Sequence, residues 1–251
     1  MKRNPFVITA THFGPMLANR YDYFRRPNGD GWRGVGVDLM ETGEYFRQEI
    51  DDCFDVIRSR REKFGDGVVV LDVGANIGTH TIAWAIRMHG WGEVYAIEAQ
   101  ERIYYALCGN ITMNNCFNAR AMWAAAAAQS GIMVVPIVDH QKPANFGGLS
   151  LNGWGRYDQP PSVGEVEITA AAIDDFKLPR LDFIKIDVQG MELDVLKGAR
   201  ETIERCYPVI VAENNFAIDD YAAAVGDGYA CRVFDGMNVI MEPLKAMEKA
   251  A

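Results

Sequence analysis

Residues 68–79, Val-Val-Val-Leu-Asp-Val-Gly-Ala-Asn-Ile-Gly-Thr, limit what this chain can fold into more than any other stretch. Val68, Val69, Val70, Leu71 and Val73 surround one acid, Asp72, which predicts a strand buried on both faces of a parallel sheet. The strand runs into Gly74, a turn and Gly78, then into an apolar helix beginning near Thr79. Such a junction lets a nucleotide-like ligand approach bare backbone amides. Its spacing narrows the class of ligand. A dinucleotide fingerprint has three glycines as G-x-G-x-x-G, the third letting the helix pack close while pyrophosphate sits on its N-terminus. Here there are two, as Gly74-x-x-x-Gly78, with Asp72 upstream. An acid at that place suits a ligand with a positive amino group better than one with two phosphates, and S-adenosylmethionine is such a ligand.

Beyond this junction strands and helices alternate. Helices are predicted over 79–89, 101–114, 191–206 and 218–225. Strands are predicted over 93–98, 119–125, 132–138, 167–170, 182–187, 208–213, 229–234 and 239–241. The alternation implies an α/β, Rossmann-like, mostly parallel sheet with helices on both faces. The last two strands flank Asp235-Gly236-Met237-Asn238 and read as a hairpin that adds an antiparallel edge. Upstream, β-like pieces at 6–11 and 16–24 make residues 1–43 a hairpin-like extension packed on the core. Thr42 reads as the N-cap of a helix over 44–63, so the main domain is 44–251. Residues 139–165, with five Gly and three Pro, form one long irregular loop. With Asn145-Phe146-Gly147-Gly148, Trp154 and Tyr157, it is the candidate lid and substrate wall.

The length of 251 residues suits one α/β domain with an extension. A formal net charge of −9 argues against general affinity for nucleic acid or anionic membrane. No apolar run reaches the roughly 20 residues of a membrane span, and no signal-peptide core follows the first residues. Five scattered cysteines, odd in number and without a C-x-x-C pair, fit reduced thiols and a cytoplasmic protein.

Ligands of open α/β sheets bind beyond the carboxyl ends of the strands, so the residues after each strand are the candidates. Gly74, Ala75, Asn76, Gly78 and Thr79 follow the first. Glu98, with Ala99 after it, ends the second strand 24 residues past Gly74, where a carboxylate can accept hydrogen bonds from both ribose hydroxyls. Trp123 and Ala124, on the third strand, fall where adenine could lie against an apolar wall, and Asn110 on the preceding helix is a further candidate. The fourth strand leads into Asp187-Val188-Gln189-Gly190-Met191-Glu192. There Asp187 and Glu192 are placed to face the transferred group and the substrate nucleophile. Asp187, Glu213 and Asn214 form a possible oxygen-ligand set for a divalent cation, which the sequence does not require. His140, in the long loop, is the outside candidate for a base.

The two runs Leu71-Asp72-Val73-Gly74-Ala75-Asn76-Ile77-Gly78 and Ile186-Asp187-Val188-Gln189-Gly190-Met191-Glu192, with Val195-Leu196-Lys197-Gly198-Ala199 after them, resemble the FkbM family of class I S-adenosylmethionine-dependent methyltransferases. The resemblance covers roughly residues 40–245. It implies a seven-stranded sheet with the last strand antiparallel, and methyl transfer, usually to a hydroxyl oxygen of a sugar or natural product. It implies cofactor contacts at Asp72, Gly74, Asn76, Gly78, Thr79 and Glu98, with Asp187 near the methionine end. The family commonly has glutamate where this chain has Gln189, and an amide cannot act as a base near neutral pH. Any acid–base role then shifts to Glu192, Asp187 or a histidine. The partner implied by the resemblance is a small-molecule hydroxyl acceptor, and the charge leads us to expect no nucleic acid and no membrane. Two other readings stay open, a nicotinamide oxidoreductase and a non-catalytic cofactor-binding interaction protein of the same fold. The acceptor, the atom methylated and any homo-oligomer are not legible.

Overall fold

The computed structural model describes residues 4–25, 31–153 and 159–244. The chain opens with an antiparallel hairpin, β1 (Phe6–Thr11) and β2 (Gly14–Asn19), and a short ribbon, β3 (Phe24–Arg25) and β4 (Trp32–Arg33). Helices α1 (Val35–Thr42) and α2 (Arg47–Phe64) lead into β5 (Val68–Val73). Then come α3 (Thr79–Arg87), β6 (Gly92–Glu98), α4 (Glu101–Met113), β7 (Ala119–Trp123), β8 (Ala125–Ala126), β9 (Gly131–Val138) and β10 (Ser162–Ala171). After a 3-10 turn at Ile173–Phe176 follow β11 (Phe183–Ile186), α5 (Glu192–Lys197), α6 (Arg200–Cys206) and β12 (Val209–Glu213). The last elements are α7 (Ile218–Val225), β13 (Tyr229–Val233) and β14 (Asn238–Pro243).

Seven strands form one sheet in the order β13-β14-β12-β11-β5-β6-β7. It is parallel except for β14, which runs antiparallel to both β12 and β13. The chain has the α/β, mostly parallel architecture expected of it, with one difference. The closing hairpin does not sit wholly at the edge, because its second strand is inserted between β12 and β13. Val239, Ile240 and Met241 are fully buried, and an interior place covers both faces of so apolar a strand.

Strand alternation divides the core into two layers. Val68 and Val70 of β5 and Phe183 of β11 face α2 and α3, where Ile50, Ile57, Ile82 and Trp84 complete the cluster. Leu71, Val73, Ile184 and Ile186 face the opposite layer, with Val195, Leu196, Ile203 and Tyr221 of α5, α6 and α7. The fully buried Trp84 ring donates its indole N–H to the Ile50 carbonyl at 3.2 Å, tying α3 to α2. The same alternation puts Asp72 and Lys185, which pair in register, on the α2–α3 face.

Several boundaries differ from the sequence-based expectation. Thr42 ends α1 instead of capping α2; its hydroxyl donates to the Asp38 carbonyl at 2.7 Å, and Gly43 turns the chain. The helix expected over 191–206 is two. The Gly198 carbonyl accepts the Asp174 N–H, and the Asp174 carboxylate takes the N–H groups of Glu201 and Thr202, diverting the bonds a continuous helix would use. Residues 162–165 are strand, not loop, and β8, β10 and β9 make a separate three-stranded sheet. Trp154 and Tyr157 lie outside the described residues. No helix among the described residues is long and apolar enough to cross a membrane.

Candidate functional site

β5 and β6 end side by side, and the turn after β5 makes the floor of a cleft. Gly74 adopts φ +80°, and a Cβ there would lie 1.9 Å from the Asp187 carbonyl oxygen. Only glycine leaves room for the two strand ends to approach, and its bare backbone faces the cleft. Asn76 is also left-handed, at φ +52°. Its side-chain oxygen accepts the Ile77 N–H at 2.6 Å, the local bond that lets asparagine tolerate this conformation.

Glu98 stands at the end of β6 with its carboxylate buried against this turn. Its oxygens accept the N–H groups of Asn76 at 3.0 Å and Gln100 at 2.7 Å. A carboxylate has about four acceptor sites, so it keeps capacity for further donors. Burial pushes its pKa up to about 7, against the lowering effect of the backbone donors. The opposite wall is Ala124, Ala125 and Ala126, and the cover is Gly147, Leu149 and Leu151 from the long loop. Gln100 also lines the cleft; its Nε2 donates to the Phe146 carbonyl at 2.9 Å, while its buried Oε1 has no partner among the described residues. No Lys or Arg is among the described residues that line the cleft.

Asp187 closes one end, with its side chain 35% exposed. Both its oxygens are held. Lys185 Nζ lies 3.1 Å from Oδ2, and Gln189 Nε2 donates to Oδ1 at 2.8 Å. The same Gln189 amide donates to Glu213 at 2.8 Å. Burial first, then the Asp187 charge, push Glu213 up to about 8. Beneath the cleft Lys185 also sits 3.5 Å from Glu49, which is 3.2 Å from His80 Nε2. Burial alone would raise the Glu49 pKa, but Lys185, His80 and Asn238 hold it down to about 2. Burial would likewise lower that of Lys185, and Asp187, Glu49 and Asp72 keep it well above its usual value.

Of the residues singled out from the sequence, the structure brings Gly74, Asn76, Glu98, Ala99, Ala124 and Asp187 together around the cleft. It places the others elsewhere. Asp72 points away on the α3 side, where it accepts the Thr81 hydroxyl at 2.5 Å. Ala75 is buried beneath the turn with Ala96 and Leu107, and Gly78 starts α3 behind it. Thr79 faces a separate hollow beside Tyr45 and Met16. Asn110 is fully buried and pins the N-terminal hairpin to the core through Leu17 and the Ile77 carbonyl. Trp123 turns its indole N–H to the Ala99 carbonyl at 2.9 Å, leaving the cleft wall to the alanines after it.

Glu192 is fully buried and accepts N–H bonds from Val188, Gly190 and the Asn215 amide, so it closes the loop that carries Gln189. His140 packs between the rings of Phe6 and Phe146 on the outer side of the loop, and burial lowers its pKa to about 4. Beside Glu213 stands Asn215, whose amide donates to it at 2.8 Å; Asn214 uses its backbone N–H on Met237 instead. Among the described residues no group of three His, Cys, Asp or Glu side chains is arranged to hold a metal ion. Sequence reasoning missed Lys185, Gln100, Ala125 and Ala126 as site residues. Lys185 carried a signal, since a lone charge inside an apolar strand must find partners; Ala125 and Ala126 carried none beyond their place after Ala124.

The model of the methyltransferase FkbM domain matches residues 72–241. Methyltransferase 1 of Beauveria bassiana (strain ARSEF 2860) is similar, 24% identical over 198 residues, covering 72% of this chain and 77% of its own. Among solved structures, the FkbM methyltransferase of Methylobacillus flagellatus KT aligns with a TM-score of 0.49 and 18% identity over 82% of this chain. The chain spans about half (52%) of that structure's length. Precorrin-6y C5,15-methyltransferase of Geobacter metallireducens GS-15 aligns at 0.45 and 15% identity, over 78% of this chain and 87% of its own.

Proposed function

This chain belongs to the FkbM methyltransferase family, and from that premise we propose that it transfers a methyl group from S-adenosylmethionine to a hydroxyl oxygen of a small sugar-like or natural-product acceptor. The observation that carries the choice of cofactor is a cleft with a buried carboxylate, a bare glycine floor and no cation among the described lining residues. A dinucleotide would bring two phosphates to a place where nothing described compensates them. The residues present fit the methyl donor instead. Glu98 has acceptor capacity for the ribose hydroxyls, the Ala124–Ala126 wall leaves a flat apolar place for adenine, and Gln100 Oε1 is a buried acceptor in want of a donor.

When bound, S-adenosylmethionine supplies a methyl group already activated by its sulfonium. The chain's own contribution is then orientation and exclusion of water, which are worth orders of magnitude in rate. Asp187 accepts the hydrogen bond of the acceptor hydroxyl and takes up its proton as the methyl is transferred. Lys185 and Gln189 hold its two oxygens, so the carboxylate meets the acceptor in one orientation. Glu192 does not share this work, because its acceptor sites are spent on the 188–190 backbone. Gly147, Leu149 and Leu151 cover the cleft against solvent. Five unpaired thiols suit a reducing compartment, and we place the protein in the cytoplasm.

Equilibrium binding of S-adenosylhomocysteine and of NAD tests the reading, followed by transfer of labelled methyl to acceptor panels. S-adenosylhomocysteine should bind at least about a hundredfold more tightly, about 2.7 kcal/mol. Tight NAD binding would sink the proposal, and cofactor binding with no transfer to any acceptor would favour a non-catalytic role.

A further inference from the structure

We infer that the N-terminal segment completes the cofactor cleft, with Asp22 as the positioning residue that holds its cover. The segment lies outside residues 72–241, where the family model matches. Even so, residues 19–23 run along the back of the loop that supplies Gly147, Leu149 and Leu151. Asp22 and Ala144 form a parallel bridge. Around it, Ala144 N–H donates to the Tyr21 carbonyl at 3.0 Å and Tyr23 N–H to the Ala144 carbonyl at 3.1 Å. The Asn19 amide donates to the His140 carbonyl at 3.1 Å. Tyr21 packs on Val138, Ala144, Phe146 and Leu149, a small apolar cluster of the loop's own.

The buried Asp22 carboxyl is the centre of this attachment. It accepts the Phe146 N–H at 3.1 Å and lies beside the amides of Gly147 and Gly36, which favour its charge, so it joins the cover to the start of α1. From within the cleft, Gln100 Nε2 donates to the Phe146 carbonyl. Gly147 is thereby pressed between Val35 and Asn76; a Cβ on it would stand 3.1 Å from Asn76 Nδ2 and 3.3 Å from Val35 Cγ2. The cover therefore rests on the glycine turn at a distance that the N-terminal segment sets. Loss of the Asp22 carboxylate leaves the buried Phe146 N–H without its acceptor and frees the cover to shift, and small displacements of a binding wall cost affinity steeply.

The inference rests on reading the cleft as the cofactor site. Its test uses the full chain, S-adenosylhomocysteine as probe, and the variants Asp22→Ala and Asp22→Asn. Asparagine keeps the shape but offers one acceptor oxygen and turns an NH₂ toward N–H donors, so it should not rescue. Both variants should bind the probe at least about tenfold more weakly. Hydrogen exchange should quicken at Phe146, Gly147 and Gly36 while amides of β5 and β11 stay slow. In the unsubstituted protein, adding the probe should slow exchange at those same three residues. Unchanged affinity and exchange in both variants overturns the inference. So does probe-induced slowing confined to 74–78 and 98–100, a result available even where the variants do not fold. If the unsubstituted protein does not bind the probe, the cofactor reading fails, and exchange at 146–147 in the variants still decides whether Asp22 holds the loop.

Discussion

Lys185 Nζ lies 3.1 Å from Asp187 Oδ2, so the carboxylate at the mouth of the cleft is paired with an ammonium only 3% exposed beneath it. The two are separated by one residue, the spacing at which side chains along a strand point to the same face. Lys185 also lies near Glu49 and Asp72, so three carboxylates share its charge.

Replacing Lys185 by Met should destabilise the fold by about 3–5 kcal/mol, the usual cost of removing one partner from a buried ion pair. Urea unfolding measures this. A loss below about 1 kcal/mol would mean that Asp187, Glu49 and Asp72 do not depend on the lysine.

Asp187→Asn should keep affinity for S-adenosylhomocysteine within a few-fold, because Glu98, Gly74 and the alanine wall remain. Transfer of labelled methyl should fall by about 10²–10⁴-fold. Glu98→Gln should do the reverse, weakening the cofactor more than it slows turnover at saturation. An equal loss of both quantities in both variants would contradict the division of roles.

Stability should fall as pH rises from about 4 to 8. Burial raises Asp22 and Glu98 to about 7 and, with the Asp187 charge, Glu213 to about 8. The unfolded chain releases these protons near pH 4. Across the window the folded state binds more protons, so each step upward favours unfolding until the folded pKa is passed. Glu49, held near 2, acts in the opposite sense, and its contribution is lost only as pH falls below about 4.5. Melting temperature should drop by on the order of 5 °C between pH 5.5 and 8.5; a rise over that interval would refute the assignment.

Gly74→Ala should be poorly tolerated although the change is one methyl. The residue sits at φ +80° and the new Cβ would meet the Asp187 carbonyl at 1.9 Å. A loss of at least about 2 kcal/mol with weakened cofactor binding is expected. Full stability and full affinity would mean that the β5 and β11 ends need not lie so close.

The parts legible in the sequence are those whose determinants are local. The β5 run, the glycine turn and Glu98 each depend on neighbours within a strand, a turn and a helix, and hydrophobic period with turn chemistry exposes them. Asp187 was legible as the end of a second such strand. Asp72 was misplaced because the turn suggested a ligand, while strand alternation sends its side chain to the opposite face. Asn110 and Trp123 stood near the right strands, yet each spends its polar atoms on backbone that only folding brings alongside.

By itself the sequence determined the α/β alternation, the strand–turn–helix junction and the family, since periodicity and motif spacing are properties of the chain's order. Tertiary structure alone decided that β14 enters the sheet between β12 and β13. It also decided that Glu192 is consumed by its own loop, that Lys185 underlies Asp187, and that Asp22 reaches across 124 positions to the Phe146 amide. Those partners are far apart in sequence, and their pairing is set by which buried donors and acceptors must satisfy one another once water is gone.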